Sequence, residues 1–195
     1  FGMPGQKWHL QMKNKLHFVL ILIFMPMISG ENFGIVVHGG AGVMSTLTQD
    51  QQDAIKLKVS ETLMSSYKIL KNGGSSLDAV EFAVSEFEDS PLFNAGKGSV
   101  YTSNETQEMD ASIMFGLDRS SGAVASVKII KNPIRLARKV LEETNHIFLV
   151  GDGAESFAKN IGVDVVEPNY FYSEKNLKRL RKVKNKLTNN YAIQD

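Results

Sequence analysis

The sequence predicts an α+β fold. Two helical patterns are joined by a Gly-Gly turn, several strand candidates then follow one another through short turns, and a helix, a strand and a helix come next. Consecutive strand pairs beside paired helices favour a largely antiparallel sheet with a helical layer over a repeated strand–helix–strand unit. With 195 residues, 43% of them hydrophobic, the chain is long enough for one domain with a sizeable core.

A short strand and a glycine-rich turn are predicted first. Residues 33–37 form a short apolar run rich in β-branched residues, which is typical of a buried strand, and residues 39–42 read Gly-Gly-Ala-Gly. This turn lacks the spacing of a dinucleotide-binding loop and the ending of a P-loop. Phosphate binding, a plain tight turn and a backbone-lined active-site wall all stay open. His38 is interpreted as a hydrogen-bonded structural histidine rather than a base.

Two amphipathic helices are predicted next. Thr48 can cap a helix over residues 49–70, whose apolar side chains form one stripe. The Asn-Gly-Gly sequence at residues 72–74 should end it, and Ser75 or Ser76 should cap the second helix. Two such helices, joined by so short a turn, should pack antiparallel as one layer.

Strand candidates dominate the chain after residue 98. Residues 99–101 and 108–115 form a candidate hairpin around a turn at residues 103–104. A second turn at residues 116–121 leads into another strand candidate, residues 122–130.

The remaining pattern is helix, strand, helix and a basic tail. Pro133, after Asn132, starts a helix, because the missing N–H of proline costs little there. Residues 146–150 predict a short strand, and the helix after it ends at Gly162. Residues 173–187 predict a basic helix, which we interpret as a solvated surface helix or linker rather than a nucleic-acid patch, since no aromatic residues interleave. The polar residues that follow predict no regular structure.

Composition limits the chemistry. A net charge of +1 gives no global field that would favour nucleic acid or a membrane surface. The absence of cysteine excludes disulfides, thiolate metal sites and a cysteine nucleophile. The four histidines are far apart, and no serine lies in a recognisable nucleophile motif. The carboxylates of Glu86, Glu88 and Asp89 cluster at a helix end, where we expect them to be solvated.

The N-terminal residues predict export. Residues 12–15 include two lysines, residues 16–28 are mainly apolar, and residues 29–30 are small, which together are typical of a secretory signal peptide over about residues 12–30. A membrane span needs roughly 20 apolar residues, so we expect a periplasmic or secreted protein with no stable membrane anchor. Residues 1–11 fit no targeting pattern and are interpreted as upstream translated sequence or an expression remnant.

The most informative stretch is residues 88–98, Glu-Asp-Ser-Pro-Leu-Phe-Asn-Ala-Gly-Lys-Gly, called here the Pro91 loop. Pro91 prevents the preceding helix from continuing, and the two glycines supply backbone freedom. The apolar pair Leu92 and Phe93 predicts that the loop packs against another part of the molecule. Because a glycine-rich loop can turn several carbonyl groups inward, a backbone site for a hard cation stays open.

An ordered set of motifs resembles the plant-type asparaginases, which are isoaspartyl peptidases/L-asparaginases of the N-terminal-nucleophile hydrolase class. The motifs cover roughly residues 35–162, and their order is more specific than any one of them. They are His38–Gly42, Gly73–Val80, Leu92–Gly98, Glu108–Met114, Gly122–Val124, Lys131–Ile134 and Gly151–Glu155.

The resemblance implies an αββα four-layer sandwich, in which helices cover two central antiparallel sheets. It also implies a precursor that cuts itself, so that the new N-terminal threonine of a β subunit is the nucleophile and its own α-amino group is the base. The implied substrates are L-asparagine and β-aspartyl dipeptides, the implied assembly is an (αβ)2 dimer of heterodimers, and no organic cofactor is implied.

The chain departs from this pattern at the nucleophile. It contains no Gly-Thr-Val-Gly segment, and Thr188 is followed by Asn-Asn-Tyr instead. We therefore expect an α-subunit portion that is inactive alone and aggregates or stays molten, with residues 1–30 as leader, 31–166 as the α domain and 167–195 as a basic linker. Glycosylasparaginase, a non-catalytic scaffold protein and a phosphate-binding module are the alternatives.

The resemblance also implies particular site residues. Asn94 corresponds to an asparagine that contacts the nucleophilic threonine, and Gly39 and Gly40 correspond to a glycine loop lining the site. The Pro91 loop corresponds to a sodium-binding loop, whose ligands would be the main-chain carbonyls of Phe87, Glu88, Ser90, Phe93, Ala95 and Lys97.

Overall fold

The computed structural model describes residues 32–40, 42 and 44–191. The predicted signal peptide and the last four residues lie outside the described residues. The helices and strands of the described part are α1 Gln49–Lys71, α2 Ser76–Glu88, β1 Met109–Met114, β2 Ser121–Val127, α3 Pro133–Glu143, β3 Phe148–Val150, α4 Gly151–Ile161 and α5 Glu174–Tyr191. Short 3-10 turns occur at Met44–Thr46, Gly96–Gly98 and Pro168–Phe171.

Local capping explains where α1 and α2 begin, as the sequence predicts. Thr48 and Gln51 form a reciprocal capping box at the start of α1, and Ser75 and Asp78 form another at the start of α2. Between the helices, Gly73 takes a φ of 85°, which an L side chain rarely adopts. The two helices pack against each other.

The sheet is mixed, in the order β1-β2-β3. Strand β1 pairs antiparallel with β2, from Met109 opposite Val127 to Met114 opposite Ser121, so the predicted turn at residues 116–121 does form a hairpin. Strand β3 pairs parallel with β2, so the prediction of a largely antiparallel sheet is wrong for this pair. The cause is helix α3, which carries the chain back across the sheet and thereby permits a parallel neighbour.

Two predicted strands do not form. Residues 33–37 are irregular, and Val36 is 93% exposed. An apolar run becomes a buried strand only where partner strands flank it, and none does so among the described residues. Residues 99–101 are irregular as well, because side chains bind the carbonyl of Ser99 and the N–H of Val100. The predicted hairpin of residues 99–115 is therefore wrong.

One face of the sheet carries the core. Val124 of β2 packs with α3 and α4, and both helices bury alanines completely there (Ala137, Ala154 and Ala158). Gly122 allows the close approach of α3, because a Cβ atom at this position would lie 2.2 Å from the carbonyl oxygen of Ala137. The described part is therefore an α+β structure with helices on this face of its sheet.

The opposite face of the sheet is open. Side chains alternate along each strand, and those on this face include Met114 of β1 and Phe148 and Val150 of β3, which are 65%, 53% and 51% exposed. We call these three residues the open sheet face.

The C-terminal part differs from its prediction. Helix α5 begins at Glu174, one residue after its predicted start, and continues to Tyr191, so residues 188–191 are helical rather than irregular. Among the described residues, no helix is both long and apolar enough to cross a membrane.

Candidate functional site

The Pro91 loop folds back tightly on the end of α2. Gly96 takes a φ of 48°, and a Cβ atom there would lie 2.1 Å from the carbonyl oxygen of Glu88. A Cβ atom at Gly98 would lie 1.9 Å from the carbonyl oxygen of Phe93 and 3.0 Å from that of Pro91. Both glycines are therefore required by the close approach of backbone carbonyls.

Four of the six predicted cation ligands take part in these close backbone contacts or in hydrogen bonds. The oxygens of Glu88 and Phe93 sit in space that a side chain at the glycines would fill. Two other predicted ligands accept hydrogen bonds, since Phe87 binds the N–H of Ser90 at 3.2 Å and Ala95 binds that of Gly98 at 3.0 Å. A carbonyl oxygen has two lone pairs, so these bonds leave capacity for a cation. These hydrogen bonds are therefore compatible with the predicted main-chain ligands of a hard cation.

Phe93 anchors the loop. Its side chain is 6% exposed, and its ring centroid lies 4.4 Å from that of Phe87 in α2. Gly39 lies against the same ring, because a Cβ atom there would be 3.1 Å from Cε1 of Phe93. The structure therefore brings the glycine-rich turn and the Pro91 loop together. Leu92 is 40% exposed, so the prediction that both apolar residues pack is right only for Phe93.

Asn94 is exposed at the outer side of the loop. Its Oδ1 atom accepts a hydrogen bond from the N–H of Val100 at 2.9 Å, which leaves the Nδ2 group as a donor. The residue lines a cleft of about 320 Å³ together with Ser99, Glu108 and Asp110. The cleft wall can thus present an oriented amide donor to an acceptor oxygen.

His38 and Gly40 form a local contact. The N–H of Gly40 donates to Nδ1 of His38 at 3.1 Å, and the imidazole is exposed. Gly40 has a φ of 101°, in the region that favours glycine. This bond agrees with the interpretation of His38 as a hydrogen-bonded structural histidine.

Glu88 contradicts the expectation of a solvated carboxylate. Only 3% of the residue is exposed, and its Oε1 atom accepts a hydrogen bond from the N–H of Ile134 at 3.0 Å. Asn132, the residue before α3, makes no side-chain capping bond, so Glu88 caps this helix from α2 instead. Burial raises the pKa of the Glu88 carboxyl to about 8. Its Oε2 atom and the Oδ1 atom of Asn132 are buried without a hydrogen-bond partner.

The other two carboxylates of this group have partners. Glu86 forms an ion pair with Lys58, which joins α1 to α2. Asp89 accepts hydrogen bonds from Asn132 and from the hydroxyl of Tyr170, both at 3.4 Å. Across the ranges that the structure describes, no cluster of three or more His, Asp or Glu side chains could hold a metal ion.

Two residues beside the site are not predicted by the sequence. Gln107 is buried and donates to the carbonyl oxygen of Ser99 at 2.9 Å. Asn176, in the first turn of α5, donates to the carbonyl oxygens of Gly98 at 3.0 Å and Ser99 at 3.1 Å. Both residues lie in polar sequence with no recognisable pattern, so only the folded structure reveals these contacts. The basic helix is mainly solvated, as predicted, but its first turn packs on the loop.

A second cleft, of about 380 Å³, lies between α2 and α3. Its walls are charged, but the charges pair with each other. Arg138 contacts Asp78 and Glu81 of α2 at 2.8 Å and Glu142 of its own helix at 2.7 Å. This cleft is therefore an ion-pair network that joins two helices.

Comparisons with known proteins agree with the sequence motifs. The family model described as "Asparaginase" (Asparaginase_2) matches residues 31–195. The chain is 46% identical over 150 residues to the "Isoaspartyl peptidase/L-asparaginase" of Mus musculus, a match that covers 77% of this chain and 45% of the mouse protein. It is also 46% identical over 150 residues to the Homo sapiens protein of that name, covering 77% and 48% of the two chains.

A third relative, from another organism, gives a similar result. The "Plant-type L-asparaginase" of Thermococcus kodakarensis is 43% identical over 153 residues, which cover 78% of this chain and 48% of the relative. The chain thus spans about half the length of the curated relatives that it matches. The family model covers most of the chain, and on that ground the chain belongs to the Asparaginase_2 family.

Proposed function

We propose that these residues are the α-subunit portion of an isoaspartyl peptidase/L-asparaginase, which hydrolyses L-asparagine and β-aspartyl peptides. The observation that carries this proposal is the side-chain amide of Asn94, a residue of the motif Leu92–Gly98. The amide accepts a hydrogen bond from the N–H of Val100, and the residue lines a polar cleft. Membership of the family and the names of the mouse and human relatives support the substrate class.

The proposed reaction is acyl transfer to a threonine. The threonine oxygen attacks the carbonyl carbon of the substrate side chain, its proton passes to its own α-amino group, and ammonia or an amine leaves. Water then hydrolyses the β-aspartyl ester. Asn94 contributes a donor, because its Oδ1 atom is already bound and its Nδ2 group can donate to an oxygen in the cleft. Gly39 and Gly40 would form part of the wall.

We further propose that a β subunit from the same precursor supplies this threonine. Such a chain would also supply a second sheet, giving a four-layer αββα sandwich and an (αβ)2 assembly. The open sheet face supports this arrangement, because Met114, Phe148 and Val150 expose apolar surface that a packed sheet would bury. For the same reason, this portion alone should be inactive and prone to aggregate.

The Pro91 loop is proposed to hold Na⁺. The candidate ligands are the main-chain carbonyl oxygens of Phe87, Glu88, Ser90, Phe93, Ala95 and Lys97. The fit rests on the crowded carbonyls around Gly96 and Gly98. A bound cation would supply positive charge to the carbonyl oxygens that hold it, so its role would be structural. No organic cofactor is proposed. Export through a signal peptide over about residues 12–30 is also proposed, on sequence grounds.

The test is a paired expression experiment. Residues 31–195 alone should release no ammonia from L-asparagine, and the same residues continued by a segment that begins Thr-Val-Gly should hydrolyse both asparagine and β-aspartyl dipeptides. In the continued protein, Asn94→Ala should lower kcat by at least about 10-fold. Asn160→Ala, on the exposed side of α4, is the matched control.

Three results would contradict the proposal. Hydrolysis by residues 31–195 alone would show that the nucleophile lies within them. Preferential cleavage of glycosyl-asparagine by the continued protein would instead indicate the glycosylasparaginase alternative, and no turnover of any of the three substrates would favour a non-catalytic protein.

A further inference from the structure

The Ser99–Val100 peptide group is hydrogen-bonded at both ends. Its carbonyl oxygen accepts from Nε2 of Gln107 at 2.9 Å and from Nδ2 of Asn176 at 3.1 Å. Its N–H, on Val100, donates to Oδ1 of Asn94 at 2.9 Å. One planar unit therefore connects two side-chain donors with the amide that faces the cleft.

We propose that Gln107 and Asn176 are positioning residues, which orient the Asn94 amide through the Ser99–Val100 peptide group. This inference rests on the proposed function for its effect on catalysis, but its geometry stands on the hydrogen bonds alone. The peptide bond is rigid and planar, so fixing the direction of the C=O group also fixes the direction of the N–H. Donors at the carbonyl oxygen polarise the same group and strengthen the bond that its N–H makes.

The Ser99–Val100 peptide group is held mainly at its carbonyl end, because that end is buried. Ser99 is 4% exposed and Gln107 is 8% exposed, so the carbonyl oxygen needs internal donors, whereas Asn94 and Val100 are exposed. Gln107 also donates to Oγ of Ser99 at 3.1 Å, and a side chain held by two bonds to one residue has little freedom to turn.

Asn176 is itself held in place. The N–H of Ser173, just before α5, donates to the hydroxyl of Tyr101 at 3.2 Å. Two turns further along the helix, Arg181 pairs with Glu105 at 2.8 Å. The first part of α5 is thus attached on both sides of Asn176 to the segment that follows the Pro91 loop. Its side chain is a fixed donor rather than an incidental surface contact.

The consequence for the site is a defined amide orientation. With Oδ1 engaged by the N–H of Val100, Nδ2 is the atom of the Asn94 amide that is left to donate in the cleft that this residue lines. If the peptide group turns, the amide is free to rotate and to present its oxygen instead, which would repel a reacting oxygen. Loss of a positioning donor should therefore lower kcat and leave KM nearly unchanged, because substrate contacts elsewhere persist.

The experiment uses the protein expressed from its full reading frame, with three variants: Gln107→Ala, Asn176→Ala and the control Asn160→Ala. Alanine favours helix more than asparagine does, so α5 should persist in Asn176→Ala. Each of the two positioning variants should lower kcat about 3- to 10-fold at constant KM, which is the effect of one neutral hydrogen bond. Hydrogen exchange of the Val100 N–H with solvent should accelerate by a similar factor. Asn160→Ala should change neither kcat nor this exchange rate.

The exchange measurement separates this inference from the proposed function. If the parent protein hydrolyses nothing, the proposed function fails, but faster exchange at Val100 in both positioning variants still supports the orientation of Asn94. Unchanged exchange at Val100 in Asn176→Ala overturns the inference, whatever the kinetics. Faster exchange with an unaltered kcat in an active enzyme also overturns it, because the orientation would then have no catalytic effect.

Discussion

Gly98 offers a sharp test of how the Pro91 loop is built. Replacing it with alanine would put a Cβ atom 1.9 Å from the carbonyl oxygen of Phe93 and 3.0 Å from that of Pro91. Both obstacles are backbone atoms, which cannot turn aside as a side chain can. The loop must therefore open, which breaks the bond from the N–H of Gly98 to the carbonyl oxygen of Ala95.

The size of the effect follows from this geometry. Overpacking in a dense region costs about 1–3 kcal/mol, and a clash with two backbone oxygens should reach the upper end, about 3 kcal/mol. For a folded unit of about 150–250 residues, 1 kcal/mol corresponds to a change in Tm of roughly 2–4 °C. Gly98→Ala should therefore lower Tm by about 6–12 °C.

The assay is thermal unfolding of the protein expressed from its full reading frame, with Gly153→Ala as control. Gly153 lies inside α4, and a Cβ atom there meets nothing within 4 Å. This change should raise stability by about 0.5–1 kcal/mol, because alanine is the better helix former. A Tm for Gly98→Ala within about 2 °C of the parent would refute the reasoning, as would an equal loss in both variants.

Two further predictions concern Glu88 and Phe93. The pKa of the Glu88 carboxyl is raised from 4.5 to about 8 in the folded state. Protonation of Glu88 therefore stabilises the fold fully below pH 4.5. The free energy of unfolding should fall as the pH rises towards 8, by on the order of 5 kcal/mol. Urea unfolding across this range should show a flatter decline in Glu88→Gln, which stays neutral, and an unchanged slope would argue against the burial effect. Phe93→Ala should cost about 3–5 kcal/mol, because it empties a packed position, whereas the half-exposed Leu92→Ala should cost less than about 1 kcal/mol. Chemical unfolding that ranks the two variants equally would contradict the anchoring role of Phe93.

Helix boundaries were predictable because their causes are local. Thr48 and Ser75 bind N–H groups three residues away, and Gly162 ends α4 in the left-handed conformation. The sequence also predicts backbone freedom at Gly96, which takes a positive φ of 48°. In each case the deciding atoms lie within a few residues of one another, where sequence spacing is informative.

Strand pairing and carboxylate burial were not predictable, because distant atoms decide them. The apolar run at residues 33–37 looks like a strand, but among the described residues it has no partner strand. Glu88 looks like a solvated residue at a helix end, but its partner is the N–H of Ile134, 46 residues further along the chain. The role of Asn176 was hidden for the same reason, since its hydrogen bond to Ser99 spans 77 residues.

The two donors to the carbonyl of Ser99 differ in when they become available. Gln107 lies eight residues downstream, so this donor exists almost as soon as the loop has been synthesised. Asn176 is made much later, and it reaches its acceptor only once α5 has formed. Contacts between distant residues form slowly, because the chain between them must first lose conformational freedom. The Asn176 bond therefore closes a much longer stretch of chain than the Gln107 bond does, and its formation costs more conformational entropy.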